Sequence, residues 1–204
     1  AYYAYAQRYA ALLAGKGITL EIRTSAGSHQ NLERIENGEV DVAFVQGGIA
    51  LRAPDDDEEA GPLRSLGSVS YEPVWVFYRG AQRVDKLHQL GGRRIAVGEE
   101  GSGIRGLALQ LLEANEIPAN SPNLLPLAGL NAAEALQQEQ IDAAFIVATQ
   151  EAPVVQVMLR SPGLRVVSLS QADAYLRRFP FLSKIVLPRG VVDLVRDVPP
   201  RDTV

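Results

Sequence analysis

Residues 18–46 read ITLEIRTSAGSHQNLERIENGEVDVAFVQ, and residues 123–147 read NLLPLAGLNAAEALQQEQIDAAFIV. The two stretches align when Asp41 is placed on Asp142, which also places Phe44 on Phe145. Each contains an apolar run, a glycine loop, a segment with helical spacing and a second apolar run. This pattern predicts strand, loop, helix and strand. The chain therefore contains two copies of one α/β unit.

The same alternation continues outside the repeat. Apolar spacing and helix-breaking residues predict helices over residues 2–14, 30–37, 103–115, 131–138, 152–159 and 171–178. They predict strands over residues 18–23, 40–46, 93–97, 124–127, 141–147, 164–169 and 184–187, and a long extended stretch over residues 68–78 that bends at Pro73. Strands that alternate with helices favour an α/β fold with mostly parallel sheets flanked by helices.

Two similar halves joined by an extended segment predict two lobes with a cleft between them. We expect residues 1–72 and 180–204 to form the first lobe and residues 73–179 to form the second. The alignment also extends upstream, where the helix before Ile18 overlays the helix before Ile117. In this longer second copy, a strand and a glycine loop precede the helix over residues 103–115. The equivalent positions of the first copy fall before Ala1, so we expect one more strand upstream and an incomplete first lobe. The polar end, PPRDTV, is expected to continue further.

Composition excludes several classes of function. The chain has 204 residues with 20 basic and 24 acidic side chains, which argues against a nucleic-acid surface. The absence of cysteine excludes disulfides and thiol catalysis. No apolar run approaches the ~18 residues of a membrane span, so direct membrane insertion of this segment is not expected. The two histidines, His29 and His88, stand apart, and no G-x-S-x-G motif is present, so no catalytic residue and no metal site is predicted.

The sharpest local feature is GSGIRG, at residues 101–106. It matches G-x-G-x-x-G, but a dinucleotide site also needs an acid ~20 residues later. The position twenty residues after Gly106 is Pro126, so we expect no nucleotide cofactor. A loop of small residues at a helix N-terminus presents backbone N–H groups to an anion. We expect Ser102, the N–H groups that follow it and Arg105 to hold a carboxylate; a tight turn without ligand is the alternative.

Other candidates follow from the repeat. Tyr2 and Tyr3 align with the glycine loop of the second copy, which predicts either a position at the cleft or packing in the core. Gln46 ends a predicted strand, where its amide could bind a ligand or cap the next turn. Tyr71 and Glu72 precede Pro73 in the connecting stretch and are expected at the floor of the cleft.

An ordered series of motifs covers nearly the whole chain. It comprises SAGS at 25–28, DVAFVQGG at 41–48, YEPVWVFYR at 71–79, RIAVGEEGSG at 94–103 and IDAAFIV at 141–147. This series resembles the TAXI family of TRAP-transporter solute receptors. The resemblance implies a type II periplasmic-binding-protein fold whose lobes close on a small organic anion, such as the amino acid glutamate or the dicarboxylate 2-oxoglutarate.

The resemblance also implies the residues of the ligand site. These are Tyr3, Ser25, Gln46, Tyr71, Gly101, Ser102, Gly103 and Arg105. One departure concerns the glycine loop, which in the family reads Gly-Ser-Gly-Thr-Arg, whereas this chain has Ile104 at the threonine position. The loss of that hydroxyl removes one hydrogen-bond donor from the anion site and bears on which ligand is bound.

The sequence therefore predicts a periplasmic receptor without a cofactor and without enzymatic activity. It is expected to capture a small organic anion by hinge closure and to deliver it to membrane-embedded TRAP transporter subunits, with a signal or anchor upstream. A ligand-sensing regulatory domain of the same fold, like a LysR-type effector-binding domain, is the first alternative. An enzyme on this fold is the second.

Overall fold

The computed structural model describes residues 2–49 and 63–204. The six α-helices are α1 (Tyr2–Ala14), α2 (Ser28–Glu36), α3 (Gly103–Glu113), α4 (Gly129–Gln137), α5 (Pro153–Arg160) and α6 (Ala172–Arg178). The five strands are β1 (Val74–Arg79), β2 (Ile95–Ala96), β3 (Leu124–Leu125), β4 (Ala143–Val147) and β5 (Leu164–Val166). A 3-10 turn covers Leu87–Leu90. All six predicted helices are confirmed, with ends shifted by at most two residues.

The strands form one mixed sheet in the order β3-β2-β4-β1-β5. Strands β3, β2 and β4 run parallel, and helices α3 and α4 provide the crossovers between them. Strand β1 runs antiparallel to both β4 and β5, with Phe77 opposite Ala144 on β4. The sheet is therefore mixed rather than mostly parallel, because β1 enters from the connecting stretch and not through a helical crossover.

Alternation along the strands divides the core into two halves. On β1, Val76 and Tyr78 point to one face, whereas Trp75 and Phe77 point to the other. The first face is covered by α3 and the 3-10 turn, and the second is covered by α4 and α5. Burial on both faces explains why β1 and β4 read as nearly continuous apolar runs. The predicted α/β class, with helices flanking a sheet, is confirmed.

Three predicted strands are wrong: those over residues 18–23, 40–46 and 184–187 form no strand. A strand needs a neighbour that exchanges backbone hydrogen bonds with it. In the first copy, side chains take these groups instead, because Asn31 Nδ2 donates to the carbonyl of Phe44 and the N–H of Gln46 donates to Ser28 Oγ. In the last segment, only Leu187 pairs, in an isolated bridge with Thr203.

The remaining predicted strands are confirmed with shorter limits. In the extended stretch predicted over residues 68–78, a strand begins only at Val74, directly after Pro73, which has no N–H to donate to a ladder. Leu187 and Val192, from the predicted first lobe, pack in the same core half as Trp75. The two-lobe division and the further upstream strand stay predictions. Across residues 2–49 and 63–204, no helix combines the length and the apolar character that crossing a bilayer requires.

Candidate functional site

The N-termini of α2 and α3, one from each copy of the repeat, lie against each other. A Cβ atom built on Gly103, the first residue of α3, would lie 3.0 Å from Oγ of Ser28, the first residue of α2. A Cβ atom built on Gly27 would lie 3.1 Å from the carbonyl oxygen of Gly101. The small-residue loops at 25–28 and 101–103 therefore face one another at van der Waals distance.

Glycine is required at this contact for two reasons. Gly27 has a φ of 146°, a conformation that side-chain-bearing residues rarely adopt. Gly103 is buried, and its missing side chain leaves room for Oε1 of Gln46, which lies 2.6 Å from the position that a Cβ would occupy. The close approach of the two loops thus depends on residues without side chains.

Ser102 fixes the start of α3. Its hydroxyl donates to the carbonyl of Glu99 over 2.5 Å and accepts from the N–H of Arg105 over 3.4 Å. This is the N-cap arrangement that serine favours, and it leaves the first backbone donors of the helix unused. Within the described ranges, the N–H groups of Gly103 and Ile104 have no acceptor.

The N-terminus of α2 is similar. Gly27 precedes the helix and offers no side-chain cap, and in the described part of the chain the N–H groups of Ser28 and His29 have no acceptor. Each helix N-terminus carries about half a positive charge from the aligned peptide dipoles. Two such ends in contact, with free donors, form an environment that favours an anion.

A second polar group adjoins this contact. The Tyr2 hydroxyl donates to Oε2 of Glu72 over 3.0 Å, and the side chain of Ser28 lies beside that hydroxyl. Burial raises the pKa of Tyr2 well above its ordinary value, and the negative charge of Glu72 raises it further. Tyr2 therefore stays a neutral hydrogen-bond donor at physiological pH. Its ring stacks on Phe44 with centroids 5.7 Å apart, which fixes its direction.

The structure brings together four of the eight predicted site residues: Gln46, Gly101, Ser102 and Gly103. Arg105, one turn into α3, is half-buried, and its Nη1 donates to the carbonyl of Gly98 over 3.3 Å. Its guanidinium is therefore turned toward the loop that precedes α3, beside the four residues. Roles for all five in ligand binding stay predictions.

The other three predicted site residues are not brought to this contact. Tyr3 is 54% exposed and Tyr71 is 75% exposed, and Ser25 is exposed as well. Successive residues of a helix point about 100° apart, so Tyr2 and Tyr3 cannot both face the same neighbour. Tyr2, Ser28 and Glu72 occupy the place instead. The sequence feature that could have identified Tyr2 is Phe44, the apolar residue on which its ring stacks.

The contact between the loops leaves no room for a ligand between Gly27 and Gly101. The atoms that fill the space belong to backbone and to small or flexible side chains, so separation of the two loops would open it. In residues 2–49 and 63–204, no three His, Asp or Glu side chains are grouped closely enough to hold a metal ion.

Two of the solved structures to which this chain is similar are binding proteins. The periplasmic aliphatic sulphonate binding protein SsuA from Escherichia coli shares 22% identity, with a TM-score of 0.40, over 50% of this chain and 35% of that chain. An ancestral arginine-binding protein bound to arginine shares 12% identity, with a TM-score of 0.46, over 79% of this chain and 66% of that chain. The matched part is thus about a third of the length of the first protein and about two thirds of the second.

Comparison with protein families gives a match that covers nearly the whole sequence. The model of the NMT1-like family matches residues 1–200. This chain therefore belongs to the NMT1-like family.

Proposed function

We propose that this chain binds a small organic anion between the N-termini of α2 and α3. The observation that carries the proposal is the contact between Ser28 and Gly103, which brings two positive helix ends and their free N–H groups to one place. An anion there would accept hydrogen bonds from both copies of the repeat. Each helix end contributes about 0.3–1 kcal/mol to the binding of a negative charge, and more where the site is partly buried.

The same arrangement supports capture by closure. Among the described residues, the first N–H groups of both helices have no acceptor, so an anion that enters between separated loops could accept from both. Such an anion binds an arrangement in which both loops reach it more tightly than a wider one in which only one loop does. This difference in affinity is what shifts the population toward closure around the ligand.

The motif series supports a proposal for the ligand class and for its destination. We propose a small carboxylate, such as an amino acid or a dicarboxylate, because the Gly-Ser-Gly-x-Arg loop offers backbone donors and a guanidinium. We further propose that the chain acts in the periplasm and delivers the ligand unchanged to TRAP-type transporter subunits. Uptake of the ligand into vesicles that contain those subunits, with and without this chain, would test delivery.

Binding is tested first by calorimetry and thermal unfolding against amino acids, dicarboxylates and 2-oxo acids. A ligand at 100 times its dissociation constant should stabilise the chain by ~2.7 kcal/mol. A panel without any saturable binder would contradict the proposal.

A matched pair of variants then places the ligand. Ser102→Asp and Ser102→Asn both keep a good N-cap for α3, but only the aspartate adds a negative charge at the site. We expect Ser102→Asp to bind the anion at least tenfold more weakly than Ser102→Asn does, with equal or higher stability in the absence of ligand. Equal affinities of the two variants would show that the ligand does not bind at this position.

A further inference from the structure

Glu72 is a half-buried carboxylate at the edge of the candidate site. It lies two residues before β1, and its Oε2 accepts the hydrogen bond from Tyr2. No Lys, Arg or His among residues 2–49 and 63–204 forms an ion pair with it. Removing a carboxylate partly from water without a cation is unfavourable, and one neutral hydroxyl compensates for it only in part.

Glu72 is close to the two helix N-termini. Oε2 of Glu72 lies 3.0 Å from the Tyr2 hydroxyl, and the side chain of Ser28 lies beside that hydroxyl. Ser28 is the first residue of α2 and faces Gly103, so Tyr2 and Ser28 connect the carboxylate to the two helix N-termini. One end of this connection carries negative charge, and the other end carries positive partial charge.

An α-amino acid carries both complementary charges on one carbon atom. Its carboxylate matches the helix N-termini, and its ammonium matches the carboxylate of Glu72. A 2-oxo acid of the same skeleton has a carbonyl oxygen in place of the ammonium, and Glu72 would repel it. A second carboxylate of a dicarboxylate would be repelled more strongly at the same place.

We propose that Glu72 determines the ligand class by binding an ammonium group, so that the site selects α-amino acids over the corresponding 2-oxo acids. This inference rests on the proposed function, since it takes the helix N-termini as the site of the carboxylate. The motif series leaves amino acids and dicarboxylates as possible ligand classes, and this inference selects amino acids.

The test uses matched pairs of compounds that differ only at this group: L-glutamate with 2-oxoglutarate, L-alanine with pyruvate, and L-leucine with 4-methyl-2-oxopentanoate. Calorimetry on the unmodified chain should show that at least one amino acid binds, at least tenfold more tightly than its 2-oxo acid. In Glu72→Gln this preference should fall to about threefold or less, through weaker binding of the amino acid. Glu72→Asp keeps the charge on a side chain that is one carbon shorter, so it should show an intermediate preference. If Glu72→Gln does not fold, Glu72→Asp takes its place in the test.

Two control variants separate selection from support of the fold. Tyr2→Phe removes the hydroxyl and leaves the carboxylate, so the preference for the amino acid should persist. Glu113→Gln, on the exposed far end of α3, should leave both affinities unchanged. The inference fails if a 2-oxo acid binds as tightly as its amino acid, if Glu72→Gln leaves the preference intact, or if Tyr2→Phe reproduces its loss. Absence of binding by every compound would instead overturn the proposed function itself, and this inference with it.

Discussion

Arg105 occupies a position that helix electrostatics disfavours. It is the third residue of α3, where the positive end of the helix dipole repels a cation, and the described residues give it no acidic partner. The one hydrogen bond that its guanidinium makes within the described residues, to the carbonyl of Gly98, is long at 3.3 Å. A bound carboxylate would supply the negative charge that this position lacks.

We therefore expect Arg105→Ala to have opposite effects on binding and on stability. Affinity for the carboxylate ligand should fall about 30-fold, equivalent to about 2 kcal/mol, because a charged hydrogen bond is lost. The free energy of unfolding without ligand should stay equal or rise by a few tenths of a kcal/mol. Calorimetry and urea unfolding measure the two quantities, and Arg177→Ala on the exposed part of α6 is the control. Unchanged affinity would show that Arg105 does not contribute to binding of the ligand.

Single residues also show where inference from the sequence ends. The glycine loop at 101–106 could be predicted because glycine favours turns and serine favours the N-cap of a helix. Tyr2 and Tyr3 were not distinguishable, since the choice between them depends on the direction in which α1 packs on Phe44. Glu72 was placed near the cleft, but its partner, Tyr2, lies 70 positions away in the chain.

Among the elements, α3 carries two glycines whose surroundings differ. A Cβ on Gly103 would press on Gln46, Ser28 and Ile49, whereas a Cβ on Gly106 would meet only the end of the exposed His29 side chain. Gly103→Ala should therefore put a methyl group into the space between the two loops and lower ligand affinity by roughly fivefold or more, about 1 kcal/mol of overpacking. Gly106→Ala is the matched control; it should keep the affinity and add up to ~1 kcal/mol of helix stability. Equal affinities of the two variants would show that closure does not involve this contact.

The start of β4 is tied to the start of β2 by Arg94 and Asp142. The backbone N–H, Nε and Nη2 of Arg94 all donate to the Asp142 carboxylate over 2.9–3.1 Å. These hydrogen bonds hold the pKa of Asp142 below its usual value, against a smaller opposing effect of burial. A carboxyl whose pKa is lower in the folded state stabilises the fold above its unfolded pKa of about 3.9, and this contribution is lost as the pH falls through the folded value.

Asp142→Asn should consequently lower stability most at neutral pH. The difference in unfolding free energy between the unmodified chain and the variant should shrink as the pH falls below about 4. Urea unfolding between pH 7 and pH 3 measures it. Asp173→Asn, which removes an exposed pair with Lys184, should have little effect at any pH. A difference for Asp142→Asn that stays constant with pH would contradict the argument.

Element prediction succeeded where an element depends on its own sequence and failed where it depends on a neighbour. The helices were located because their periodicity and breakers are local. Residues 40–46 (VDVAFVQ) and 141–147 (IDAAFIV) are close in sequence, yet only the second contains a strand. The difference is that β4 lies between β1 and β2, whereas the backbone of residues 40–46 bonds to Asn31 and Ser28.

For the molecule as a whole, stability should be unevenly distributed. The sheet is buried on both faces, and Phe77 and Phe145 are fully buried. Helix α1 buries no residue completely, and α2 buries only Ser28. Regions with little buried apolar surface open at lower free energy than the core does. In a hydrogen-exchange measurement, the backbone N–H groups of β1 and β4 should therefore exchange only on global unfolding. Those of α1 and α2 should exchange at a lower opening free energy. Uniform protection would show that both copies of the repeat unfold together.

Ligand binding should then change this distribution in a way that only a shared site explains. A ligand confined to one copy of the repeat would protect one loop, whereas an anion held by both helix N-termini should slow exchange at residues 27–30 and 102–105 together. Helix α5, on the far face of the sheet, should exchange as before. Ser102→Asp, in the presence of the same ligand concentration, should lose both effects. Protection of only one loop would place the ligand elsewhere, and the contact between α2 and α3 would then be a packing contact between the two copies.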